Sequence, residues 1–208
     1  MNRFLSLFFL PLLLFGEPFN THITFKGEAI LSLRTVTHAF NAIGYKLDIV
    51  SFDFQNNSGE LSAIAIGNKP FSISGLDENL KNEGIQVEKI SLDKSDLSLA
   101  LDAQGSVWNT LLLQEEGVEL KHVNTAQWFR IGKAQHIHIQ PPYIGKWYPD
   151  IAILDRSMHL ISSFRAADSK EEFQLEVPEG AYYLKVSNVQ GMKMLKEGMW
   201  IEPTNPVQ

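Results

Sequence analysis

From Val118 to Glu202 the chain carries eight short strand-like segments, each set off from the next by turn-forming residues. They are Val118 to Val123, Gln127 to Ile131, Ala134 to Ile139, Asp150 to Leu154, His159 to Phe164, Glu172 to Val177, Ala181 to Ser187 and Met199 to Glu202. Alternation with a period of two puts every second side chain on one face, the pattern of a strand half buried against a core. No stretch of this region holds a helical period long enough to make a helix. Eight strands at this spacing predict an all-β antiparallel sandwich, jelly-roll-like, over residues 118–203. Within it, Pro178-Glu179-Gly180 is expected to turn a hairpin, joining Phe173, Leu175 and Val177 to Tyr182, Leu184 and Val186.

The preceding region reads differently. Thr21 to Lys26 alternates, with Ile23 and Phe25 on one side. Ala29, Leu33, Val36, Phe40 and Ile43 then recur at helical spacing, and Gly44 supplies a stop. Lys46 to Phe54 is strand-like, Asn56 to Gly59 is a turn, and Leu61 to Ile66 is an apolar returning strand expected to be buried on both faces. Ser74 and Asp77 read as the start of a short helix carrying Leu76 and Leu80, ended at Gly84. Gln86 to Leu92 and Asp96 to Leu101 are two further strands. The order β-α-β-β-α-β plus one strand predicts an N-terminal ferredoxin-like βαββαβ module over residues 17–103. The fold class expected is therefore α+β, with residues 104–117 as a linker and residues 204–208 as a disordered tail. All four Trp lie after the linker begins. Residues 17–103 hold 7 basic against 12 acidic residues, so the first module is the more acidic.

Residues 1–16 combine Arg3, an apolar run from Phe4 to Phe15 and a small residue, Gly16, before polar Glu17-Pro18. This is the layout of a secretory signal peptide. The run is shorter than the about 20 apolar residues that cross a bilayer, and Pro11 interrupts it. No membrane span is expected after leader removal, and the expected location is the periplasm or the medium. A formal net charge of -6 leaves no basic surplus for a phosphate backbone, so nucleic acid is excluded as a partner. The absence of Cys excludes disulfide scaffolds and thiolate chemistry.

The run from Gly59-Glu60-Leu61 through Pro70-Phe71 and Leu80 to Gly84-Ile85-Gln86-Val87 and Leu97 to Leu101 resembles, in its helix-then-hairpin rhythm, the small ferredoxin-like periplasmic modules of inner-membrane assembly proteins in type II secretion and type IV pilus systems. Apolar positions and glycines carry the likeness. It implies an assembly role. Those proteins also carry a full transmembrane helix, longer than the apolar run seen here.

Two features bear on chemistry. In Gln135-His136-Ile137-His138-Ile139, alternation places His136, His138 and Gln140 on one strand face. Two imidazoles so spaced can chelate one metal ion if a third ligand converges, with His159, His122 or Asp155 as candidates. The other reading is a polar face turned to solvent or to a neighbour. The segment Pro141-Pro142-Tyr143-Ile144-Gly145-Lys146-Trp147-Tyr148-Pro149-Asp150 is a loop rich in aromatics. Tyr143, Trp147 and Tyr148 either stack on a protein or glycan partner or fold back and plug the end of the sandwich. Met192, Met194 and Met199 are expected to pack rather than bind copper. Ser157 near His159 has no G-x-S-x-G around it, and no catalytic residues or cofactor are assigned. The sequence reads as an exported, non-enzymatic interaction or assembly module, with an envelope protein or glycan as partner. The alternative is a periplasmic ligand- or metal-binding protein using His136 and His138.

Overall fold

Ser32, Thr35, Val36, Ala39 and Phe40 recur three and four apart, and all are buried along one side of the first helix. The structure, a computed structural model, describes residues 18–141, 146–195 and 198–204. It is a mixed α+β protein, with two α-helices and three open sheets among the described residues. The chain divides into two compact units, residues 1–108 and 109–208.

The first unit runs β1 (Phe19–Lys26), α1 (Ala29–Ala42), β2 (Tyr45–Gln55), β3 (Ser58–Gly67), α2 (Ile73–Asn82), β4 (Gln86–Asp93) and β5 (Asp96–Asp102). The strand order is β2-β3-β1-β5-β4, with β5 parallel to β1 and every other neighbour antiparallel. Ile23 and Phe25 of β1, Leu61, Ala63 and Ala65 of β3, and Leu97, Leu99 and Leu101 of β5 form one core with Val36, Phe40, Leu76 and Leu80 of the helices. Asn56 and Asn57 both have positive φ, 49° and 58°, which is the type I′ turn that suits a two-residue hairpin. Gly59 is needed for a different reason. A Cβ there would lie 2.6 Å from the Phe25 ring, which stacks on Phe52 and Phe54.

Three expectations for this unit change. In a four-stranded split βαβ the strand after the second helix lies beside β1; here the added strand β5 takes that place and β4 moves to the edge. The three leucines of β5 are at most 3% exposed, whereas Val87 and Ile90 of β4 are only partly buried, so the more apolar strand takes the inner place beside β1. The helix cap is Ser72, not Ser74: its hydroxyl accepts from the Gly75 N–H at 3.0 Å, and Asp77 pairs with Lys81 instead. β3 is buried on one face only, and Ile64 and Ile66 stay 38% and 40% exposed on the other.

The second unit contains β6 (Leu111–Leu112), β7 (Val118–Leu120), β8 (Gln127–Arg130), β9 (His136–Gln140), β10 (Pro149–Leu154), β11 (Leu160–Arg165), β12 (Phe173–Glu176), β13 (Tyr183–Asn188), a 3-10 turn (Met192–Met194) and β14 (Met199–Thr204). They form two sheets, β11-β10-β13-β8-β6 and β12-β9-β14-β7. Phe129, Ile151, Ile153, Leu184 and Val186 of the first meet Ile137, Ile139, Met199 and Ile201 of the second in one hydrophobic cluster. Met192 is buried in the same cluster.

Pro178-Glu179-Gly180 does not close a hairpin. β12 and β13 lie in different sheets, so this turn carries the chain from one sheet to the other. The two apolar rows match because both face the shared core. The stretch 104–117 is not a bare linker either. Val107 donates to the Glu83 carbonyl, Trp108 is buried in the first unit, and β6 pairs in parallel with β8 in the second. Thr204, placed in the tail by the sequence reading, ends β14.

Candidate functional site

Ile137 and Ile139 are fully buried, and this fixes the outward direction of His136 and His138 on β9. On that outer face each histidine sits between two neighbours. His136 lies opposite Glu176 of β12 and Thr204 of β14, and His138 lies opposite Gln174 and Glu202. His138 is clamped between carboxylates, with Nδ1 3.2 Å from Glu202 Oε1 and Nε2 3.5 Å from Glu172 Oε2. The indole N–H of Trp200 donates to the other Glu202 oxygen at 2.8 Å. This bond, and then His138, hold the Glu202 carboxyl below the usual carboxylate range.

His159 does not join the pair. It lies in the turn between β10 and β11, on the other sheet, with Nδ1 3.2 Å from Asp155 Oδ2. Asp155 Oδ1 also accepts the N–H groups of Ser157 and His159, which makes it a turn-forming residue. His122 lies in the β7–β8 connection with φ 52°. Among the described residues no group of three or more His, Asp or Glu is placed to hold a metal ion. Glu172 and Glu202 address opposite nitrogens of His138, so a single ion on one nitrogen cannot gather all three groups.

The aromatic loop separates in the same way. Trp147 is 0% exposed, and its indole N–H donates to the Ser187 carbonyl at 2.9 Å. Its ring meets Phe173 edge to face at 6.3 Å. Trp147 is thus the plug of the two readings, not an exposed contact. It stands in phase with Pro149, Ile151 and Ile153, the buried row of β10, and that parity was the signal in the sequence. Tyr148 is half buried, and its N–H donates to the buried Asn188 side chain at 3.0 Å. Tyr143 lies outside the described residues.

Sequence reasoning did not single out the groove beside His138. It has a volume of about 340 Å³ and is lined by His138, Phe164, Lys170, Glu172, Phe173 and Gln174. Phe164 of β11 and Phe173 of β12 are in ring contact at 4.5 Å, yet Phe164 remains 38% exposed. Both belong to edge strands of their sheets. The Val177 N–H donates to Gln135 on the β9 side at 2.8 Å. By the alternation of an antiparallel ladder, Phe173 and Leu175 also point their backbone groups to β9, and Gln174 and Glu176 point theirs away from it.

No protein-family model, curated protein or solved structure matches this chain. A polar outer face, an edge with outward backbone donors and acceptors, and a half-covered pair of phenylalanines form a surface that can take up an extended chain.

In the first unit the buried groups do structural work. Glu83 is nearly buried and lies 2.7 Å from His38 Nδ1, and the Arg34 guanidinium lies 4.2 Å from the centre of the Trp108 ring. Together they seat Trp108 against α1.

Proposed function

We propose that this chain is an exported, non-enzymatic envelope protein of two domains that acts as an interaction or assembly module. Its N-terminal domain is read as a ferredoxin-like module with one added strand, and its C-terminal domain as an antiparallel sandwich. The observation that carries the proposal is the edge of β12. Gln174 and Glu176 turn their backbone groups away from β9, next to the exposed part of Phe164. Exposed strand edges in natural sheets are normally blunted or used. The apolar run from Phe4 to Phe15 supports export. The contact surface is the β12 side of the second unit, with Trp147 packed against Phe173 beneath it.

The test is fractionation of the producing cell, N-terminal sequencing of the mature chain, and chemical cross-linking in the intact envelope. The expected result is a chain starting near Glu17 and one stoichiometric protein partner. A cytoplasmic chain, or one cross-linked only to itself, would overturn the proposal.

A second reading is ligand or metal binding at His136 and His138. The groove that His138 lines favours the ligand form of this reading, whereas among the described residues no third group stands beside the pair to hold a metal. Saturating zinc or copper would then raise the melting temperature, and His138→Ala would remove the rise. The interaction reading expects no shift with either metal.

A further inference from the structure

We infer that the partner binds as an added β-strand on the free edge of β12, and that the segment it contributes alternates apolar with basic residues. This rests on the interaction reading and names the chemistry of its partner.

The backbone supplies one half of the site. β12 is the terminal strand of its sheet, and among the described strands only β9 pairs with it. Gln174 and Glu176 therefore offer two N–H and two C=O groups to a new neighbour.

Side chains supply the other half. In the added strand, residues opposite Phe173 and Leu175 would point to the core side of the sheet. Phe173 and Leu175 are only half buried there, and Phe164 is 38% exposed beside Phe173. Apolar side chains from the partner would complete this cover.

Residues opposite Gln174 and Glu176 would point to the outer face. That face presents Glu172 and Glu176, and Glu172 is 75% exposed. From Asp168 to Glu179 the chain carries Asp168, Glu171, Glu172, Glu176 and Glu179 against the single basic Lys170. Lysine or arginine at these positions of the partner meets opposite charge, whereas glutamate or aspartate meets like charge directly across the ladder, which is unfavourable. The same rule disfavours a second copy in the register that centres Gln174 on its own symmetry mate, because Glu172 would then face Glu176.

The test uses the purified mature chain and labelled synthetic nonapeptides, read by fluorescence anisotropy. One alternates Val and Lys, one alternates Val and Glu, and one holds the Val and Lys residues in separate blocks. The alternating Val/Lys peptide is expected to bind at least about tenfold more tightly than either of the others. Gln174→Pro removes an outward N–H but leaves the bonds to β9, and it is expected to abolish that preference. Should Gln174→Pro unfold the domain, the double change Glu172→Lys with Glu176→Lys decides, because it is expected to transfer the preference to the Val/Glu peptide. Equal binding of the blocked and alternating peptides, or no binding at all, would overturn strand addition. A preference that survives Gln174→Pro in the folded protein, or survives the charge reversal, would overturn it as well. A stoichiometric envelope partner found despite such a result would leave the interaction reading standing and remove only this mode of contact.

Discussion

At the scale of single residues, Trp147 and Glu202 show how environment decides role. Trp147 is a large ring with no exposed surface and a satisfied indole N–H. Trp147→Ala is expected to cost about 3–5 kcal/mol, read by urea denaturation; a loss below about 1 kcal/mol would mean that the ring is not packed as described. Glu202 is held below the usual carboxylate range by Trp200 first and His138 second. A depressed pKa contributes stability that is present above the unfolded value and is lost as pH falls through the folded one. The stability difference between the native chain and Glu202→Gln should therefore be largest near neutral pH and shrink in acid. A difference that does not change with pH would contradict this. Gly59 is set by contact alone: Gly59→Ala would press a methyl into the Phe25 ring and the Asp53 carbonyl, at an expected cost of about 1–3 kcal/mol.

At the scale of elements, what alternates was legible and what pairs was not. All eight expected strands of the second unit exist; most bury an apolar row, while β11 is exposed along its whole length and is held by its pairing with β10. Their partners depend on contacts distant in sequence, so the turn at Pro178 to Gly180 read as a hairpin although it joins two sheets. β6 was missed because two residues carry no period, and the place of β5 beside β1 was missed because strand order leaves no local trace. The same limit applies to the site. The common face of His136 and His138 followed from parity, but the absence of His159 from it is a matter of sheet assignment. The groove at Phe164 required two edge strands to meet, and no spacing in the sequence encodes that. The start of α2 gives a direct check. Ser72→Ala should cost about 1 kcal/mol by loss of the cap, and Ser74→Ala a few tenths at most. The reverse order would restore the boundary expected from the sequence.

At the scale of the whole molecule, each unit has its own hydrophobic cluster, one built on Ile23, Phe40 and Leu97 and the other on Phe129, Ile139 and Ile201. Each is expected to fold alone when the chain is divided between Trp108 and Asn109, with a cooperative transition in both fragments. A fragment that stays unfolded would show that its core is incomplete without the other. The most direct measurement is site-specific photo-cross-linking in the intact envelope, with the reactive side chain placed in turn at Gln174 on the β12 edge and at Ser98 on the exposed face of β5. A single partner protein is expected to be captured at Gln174, through a segment that alternates apolar and basic residues, and none at Ser98. Capture at Ser98 alone, or capture of nothing at Gln174, would contradict contact at the β12 edge.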